Sequence, residues 1–380
     1  MQLILNFLLS MFISLLFPIA IQSKEPVELS LSGGDNVKVE QWIEGLEIPW
    51  SLVFLPDKRA LISERPGRIR LIKDGMLQKE PYATIEVAHI GEGGLMGLAF
   101  HPDFPKKPYI YAMHTYRKGN TLFNRVIRLK DLGNRGVFDR VIIDNIPGAR
   151  FHNGGRIAFG PDGMLYITTG EIYEADLAQN LNSLGGKILR ITPEGEIPSD
   201  NPFKNSPIWS FGHRNPQGLA WHPETGDLFS SEHGPSGEYL RFGNDEINII
   251  KKGGNYGWPI IIGKKNRPPY IDPLVLWEKT TPPSGITFYS GEKLFHLKGD
   301  LFVATLRSES IIRIKLQRTK EGFRVERIER WFEGKYGRIR DIVQGPDGYL
   351  YFLTNNRDGR GKPKIGDDRV YRIIPQSHSN

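Results

Sequence analysis

The chain has 380 residues, 39% of them hydrophobic and 24% charged, enough to bury a large core as one big β domain or two ordinary ones. Its net charge of +7 comes from Lys and Arg scattered along the sequence, which points to a solvated basic surface and away from a nucleic-acid-binding tract. There is no cysteine, which excludes disulfides and a lipid-anchored cysteine but says nothing against export.

In chain order, the first feature is the apolar run Leu3 to Ile21, followed by the polar Gln22, Ser23, Lys24, Glu25 and Pro26. It reads as a secretory signal over residues 1–23, with cleavage near Ala20 to Ser23. Residues 24–380 would then be the mature domain, periplasmic or secreted, with no stable membrane association after cleavage. An uncleaved anchor is the other reading, since no basic residue precedes the run and its length nearly spans a bilayer.

The 42 glycines and 27 prolines punctuate the rest of the chain, as many short strands joined by turns require. One phrase recurs: an apolar triplet, a Pro with an acid or Gly, a short turn, then alternating apolar residues. Its copies begin at Val53, Leu98, Ile157, Leu219 and Ile342, with a degenerate one at Ile286. About six units of period near 60 residues result.

Each turn is followed by a second strand, such as Met164 to Thr169 or Tyr349 to Thr354, so each pair reads as a hairpin. Third strands follow at Ile69 to Ile72, Lys187 to Ile191 and Ile311 to Ile314. Their alternation of apolar and basic residues predicts one face in a core and the other in water. Apart from a short turn around Ala175 to Asn182, nothing has helical period. The prediction is an all-β, six-bladed β-propeller with four-stranded antiparallel blades; two β-sandwiches are the alternative.

Loops on one face of a propeller converge, so residues distant in sequence can form a single site. The loop Arg150 to Arg156 places His152 beside paired glycines, where neutral imidazole can take a hydroxyl proton; alone, such a loop is more often structural. Phe211 to Gly218 is a dense run of donors, or simply a hydrogen-bonded turn. In Ser231 to Pro235 the Gly-Pro pair forces a sharp turn whose carbonyls can face a hard cation such as calcium, and no ligand-spaced His and Cys set accompanies His233 to suggest zinc. Alternation in Gly337 to Asp341 puts Arg338 and Arg340 on one side. With Arg214 and Arg307 they can form a receptor for a polycarboxylate, although each read singly is a surface charge. Gly91 to Gly94 lacks the strand-to-helix context of a nucleotide cradle, and a serine nucleophile elbow is absent.

Taken together, these motifs resemble the soluble quinone-dependent glucose and aldose sugar dehydrogenases. The matching segments are Gly91 to Phe104, His152 to Glu171, Gly212 to Gly218, Glu232 to Pro235, Asp245 to Asn248 with Gly253 to Pro259, and Arg338 to Gly348. They occur in order from the second repeat to the sixth. The resemblance implies an aldose sugar substrate, an unidentified electron acceptor, and pyrroloquinoline quinone lying over the channel with calcium.

By position, His152 looks like the catalytic base, and Arg214 like the residue that polarises the quinone, with Asn215 beside it. Arg307, Arg338 and Arg340 fall where the family places basic partners of the cofactor, Arg307 standing where its glucose enzyme has lysine. Glu92 and Glu171 stand at cofactor-site positions held there by Asp or Gln. The carbonyls of Gly234 and Pro235 look like calcium ligands. Asp245 and Glu246 are either ligands of a second calcium or turn acids. Ser236 to Asn244 is longer than the matching link in the glucose enzyme and, with Trp277 to Ser284, is expected at the rim. The competing functions are a non-catalytic ligand- or protein-binding propeller and a calcium-dependent propeller lactonase.

Overall fold

The computed structural model describes residues 27–30, 36–237 and 240–376; the expected signal segment lies outside the described residues. Six antiparallel sheets form the blades of a β-propeller. Blade 1 comprises Pro49–Phe54, Ala60–Glu64, Arg68–Lys73 and Met76–Leu77, with the short strand Ala83–Thr84 also pairing to the third. Blade 2 comprises Leu95–Phe100, Tyr109–Lys118, Thr121–Asp131 and Gly136–Pro147. Blade 3 is built from Ile157–Phe159, Leu165–Thr169, Lys187–Ile191 and Ile208–Phe211. Blade 4 takes Pro216–Trp221, Leu228–Glu232, Asp245–Ile250 and Val275–Trp277. Blade 5 takes Pro283–Phe288, Leu301–Thr305, Ile311–Thr319 and Gly322–Trp331.

Blade 6 joins the two ends of the chain. Its strands Ile339–Gln344, Leu350–Thr354 and Val370–Pro375 are completed by Asn36–Ile43 from the N-terminal side, beyond which lies Val27–Ser30. This pairing, which runs from Val37 opposite Pro375 to Ile43 opposite Val370, closes the ring. The predicted turn near Ala175 is a single turn of 3₁₀ helix, Ala175–Ala178.

The six copies of the recurring phrase lie in the first, innermost strands, which line the channel. Neighbouring blades share apolar layers: Tyr111 and Met113 of blade 2, for example, pack with Ile157, Leu165 and Leu189 of blade 3.

That packing corrects one expectation. Of the basic residues on the predicted third strands, Lys187, Arg190 and Arg313 are buried and do not face water, while Arg70 is half-buried. Each blade is sandwiched between two others, so both faces of its middle strands are covered and the cations need internal partners. Arg190 pairs with Asp162 (2.9 Å) and Asp200 (2.8 Å), and Arg313 with Asp300 (2.6 Å) and Glu329 (3.2 Å). Lys187 Nζ donates to the carbonyls of Leu177 (2.6 Å), Ala178 (3.1 Å) and Gly185 (2.6 Å), tying down the loop that follows Thr169.

A buried ion pair ties the inner strands together inside the ring. Arg156 Nη1 donates to Asp341 Oδ2 at 3.0 Å, and its Nε to the Gln217 carbonyl at 3.1 Å. Asp341 Oδ2 also accepts from Leu52 N at 3.2 Å, and the Arg156 guanidinium lies 4.4 Å from the Trp50 ring centroid. Blades 1, 3, 4 and 6 therefore meet at one charged knot.

Candidate active site

A cavity of about 530 Å³ opens on one mouth of the channel and is lined mainly by apolar side chains, among them Val53, Phe100, Phe159, Trp221 and Phe288. The groups able to do chemistry converge on the other side of the Arg156–Asp341 knot. There the segments entering the inner strands meet those leaving the second strands, so six blades contribute to one polar cluster.

His152 enters from the loop before blade 3, in a left-handed conformation with φ +53°. Its Nδ1 is hydrogen-bonded to Glu171 Oε1, and its backbone N–H donates to Glu92 Oε2 at 3.2 Å. A carboxylate only accepts, so Nδ1 carries the proton and Nε2 presents a lone pair. Nε2 has no hydrogen-bond partner among the described residues. Gly170 permits this approach, because a Cβ there would overlap the His152 carbonyl.

Arg214 and Asn215 lie between blades 3 and 4. Glu232 fixes them from the end of the next strand: its Oε1 accepts from Arg214 N, while its Oε2 takes His213 Nδ1 at 2.8 Å. The Arg214 carbonyl accepts from Glu171 N at 2.9 Å, and Asn215 Oδ1 accepts from Gly154 N at 3.0 Å. These two bonds lock the His152 and Arg214 loops together. The Arg214 guanidinium reaches the His233 carbonyl at 3.3 Å and lies 5.5 Å from the Trp258 ring centroid.

From blade 6, Arg338 is held by Asp358 at 2.8 Å. Arg340 Nη1 donates to Gln217 Oε1 at 2.9 Å and to Ser284 Oγ at 3.3 Å, with the Trp50 ring 5.5 Å away. Burial pulls the Arg340 guanidinium down to about 9, against the pull of Asp358 and with Arg338 and Arg65 reinforcing the fall. At neutral pH it is still a buried cation, with no carboxylate hydrogen-bonded to it among the described residues. Glu92 faces the cluster from the loop before blade 2. Burial raises its carboxyl, and Arg360, His152 and His233 outweigh this and hold it at about 2. Arg360 Nη1 bonds Glu92 Oε1 at 2.6 Å.

Gly234 and Pro235 follow Glu232. Gly234 N donates to Asp245 Oδ1 at 3.0 Å, and a Cβ on Gly234 would overlap the carbonyls of Gly243 and Asn244. Neither the Gly234 nor the Pro235 carbonyl accepts a hydrogen bond among the described residues, so both remain available to a cation. Among the same residues, no three His, Asp or Glu side chains converge as a metal site.

The sequence-derived set is thus mostly brought together: Glu92, His152, Glu171, Arg214, Asn215, Gly234, Pro235, Arg338 and Arg340. Arg307 differs. It follows the second strand of blade 5 and is exposed, while its neighbour Leu306 lines the same small pocket as Glu92, His233 and Arg340.

His233 and Arg65 complete the cluster. Burial, with Arg340, Arg214 and His152 reinforcing it against Glu92, lowers the His233 imidazole to about 3. The unfolded chain protonates this histidine near pH 6.5 and the folded chain does not, so stability falls as pH drops from about 6.5 towards 3. Thermal melts across that range should show the loss, and His233→Gln should flatten the curve; an unchanged slope would refute the assignment.

The family description Glucose / Sorbosone dehydrogenase matches residues 46–365. The chain belongs to that family. Among solved structures, this family member is similar to a Thermus thermophilus protein provisionally assigned as an oxidoreductase (glucose dehydrogenase), with 54% identity over 89% of this chain and 100% of the other, at TM-score 0.83. It is 36% identical to the aldose sugar dehydrogenase of Streptomyces coelicolor, whose structure is of the pyrroloquinoline quinone-bound form; coverage is 92% and 100%, at TM-score 0.78. An aldose sugar dehydrogenase of Escherichia coli strain K12 is 33% identical over 85% of this chain and 91% of the relative.

Sequence reading of this dehydrogenase-family chain missed Arg65, Gln217 and Arg360 as members of the site. Arg65 sits in Glu64-Arg65-Pro66-Gly67, which reads as an ordinary turn. It is buried, donates to the Gly91 carbonyl and lies 3.3 Å from His89 Nε2. The signal available was its equivalence to Glu171 and Glu232, each just beyond or at the end of a second strand.

Proposed function

We propose that this protein oxidises the anomeric hydroxyl of aldose sugars to lactones, with His152 as general base and with calcium-bound pyrroloquinoline quinone as cofactor. The observation that carries this reading is the His152–Glu171 pair: an imidazole fixed by its Nδ1, with Nε2 open beside a cluster of buried guanidiniums.

The residues present fit the cofactor. Among the described residues, Arg65 and Arg340 are buried cations without a hydrogen-bonded carboxylate, and the Nε of each has no partner. Asn215 Nδ2 and His233 Nε2 are likewise buried and unpartnered. Such groups are costly to bury alone and suit an acceptor-rich, triply carboxylated planar ligand. Arg214, Arg338 and Arg340, with Asn215, would hold it, with Arg307 at the rim, and the carbonyls of Gly234 and Pro235 would hold calcium.

When bound, the quinone supplies the hydride acceptor and calcium a Lewis acid beside it. The chain's own part is proton transfer and orientation. His152 Nε2 takes the proton of the C1 hydroxyl, and Glu171 stabilises the imidazolium that forms. Arg214 would help hold the cofactor and supply a fixed positive charge toward it. Glu92, held ionised by Arg360, anchors the His152 backbone. The lactonase alternative requires an acidic metal cradle, which does not form among the described residues. Export by the N-terminal segment, with electrons passing to a separate acceptor, completes the proposal; among the described residues no helix is long and apolar enough to cross a membrane.

The test is to reconstitute purified apoprotein with the quinone and calcium and to record absorption before and after a panel of aldoses. A bleach of the oxidised cofactor with sugar, together with dye reduction, is expected. Cofactor binding without turnover on any aldose would defeat the enzyme assignment, and no binding at all would favour a non-catalytic propeller.

A further inference from the structure

Tyr173 has no role in the chemistry described above, yet it is built against its central group. Its ring lies parallel to the His152 imidazole, with centroids 4.0 Å apart and planes 19° from parallel. Its backbone N–H donates to Glu171 Oε1 at 3.2 Å, the oxygen that also takes the His152 Nδ1 proton. Phe151 meets it edge-on, with centroids 5.8 Å apart and planes at 78°.

The backbone that delivers this ring is unusual. Ile172 and Tyr173 are consecutive non-glycine residues in the left-handed region, with φ +55° and +64°, opposite His152 at +53°. A β-branched residue there is an outlier, and such conformations persist only where surrounding contacts impose them. Burial does not account for it, because Tyr173 is 52% exposed. The strained turn gains the stack on His152 and the shared bond to Glu171.

Glu171 alone leaves a degree of freedom. A carboxylate on Nδ1 selects the tautomer, but the ring can still tilt about that bond, and Nε2 tilts with it. A parallel ring against one face removes the tilt.

We propose that Tyr173 is the positioning residue of the His152 base, fixing the imidazole plane while Glu171 fixes its tautomer. The proposal rests on His152 being the base. Because the stack needs a ring and not a hydroxyl, Tyr173→Phe and Tyr173→Ala separate it from other roles.

In the reconstituted enzyme, Tyr173→Ala should lower kcat by about five- to tenfold with KM within about twofold, and Tyr173→Phe should restore wild-type kcat. In the apoprotein, ¹⁵N-labelled imidazole spectra should show the same Nδ1–H tautomer of His152 in all three proteins, with sharp resonances for wild type and Tyr173→Phe and resonances broadened by ring tilting for Tyr173→Ala. A Tyr173→Ala protein with unchanged His152 resonances overturns the proposal. So does a rise in KM at constant kcat, which would make Tyr173 a sugar contact, or a Phe variant as slow as the Ala variant. Should no sugar be oxidised at all, the base assignment fails, while the apoprotein spectra still decide whether Tyr173 orders the ring.

Discussion

His152→Ala is expected to lower sugar-dependent turnover by about 10²–10⁴-fold, the range for loss of a positioned general base, while cofactor affinity stays within about threefold of wild type. The split follows from the geometry. The groups that would hold the cofactor come from other loops, and the His152 side chain bonds to Glu171, not to any of the arginines. Deleting the imidazole also leaves the Gly154–Asn215 bond in place, so the Arg214 loop keeps its anchor. Stopped-flow bleaching of the quinone by sugar, with cofactor affinity measured by optical titration, separates the two effects. A variant that turns over normally would remove His152 from the mechanism. One that loses cofactor binding and activity together would make it a structural residue.

The second large effect concerns stability. Asp341→Ala should destabilise the fold by about 3–5 kcal/mol, because it leaves Arg156 as a buried cation without its partner. Arg156 and Asp341 are 7% and 2% exposed, so water cannot take over the charge. The loss also frees Leu52 N in the neighbouring blade. Replacing both partners by apolar residues, Arg156→Met with Asp341→Leu, should recover much of the loss, since a buried pair contributes little relative to well-packed hydrophobic side chains. Denaturant unfolding of the single and double variants measures this. If Asp341→Ala costs no more than an ordinary surface change, the knot does not hold the blades.

Much of the fold was legible because its signals are local. The Pro-Asp turns at Pro56, Pro102, Pro161 and Pro346 each follow an inner strand, and turn chemistry depends on adjacent residues alone. The closure of blade 6 left no such mark, since Asn36–Ile43 and Val370–Pro375 meet only because the ring returns on itself. The misplacement of Lys187, Arg190 and Arg313 has the same origin: an alternating strand looks half-solvated until a second blade covers its polar face.

The site divides in the same way. His152, Arg214, Arg338 and Arg340 stood out through dense local polar motifs and their ordered likeness to a family. Arg65 and the Glu92–Arg360 bond, which links residues 268 positions apart, could not. Sequence by itself determined the element type, the number of repeats and the chemical inventory of the loops, because strand period and turn preference are properties of neighbouring residues. Only the tertiary structure decided which of those charges are buried, which carboxylate serves which cation, and that Tyr173 lies on the imidazole. Those outcomes depend on distances across the ring that no local pattern encodes.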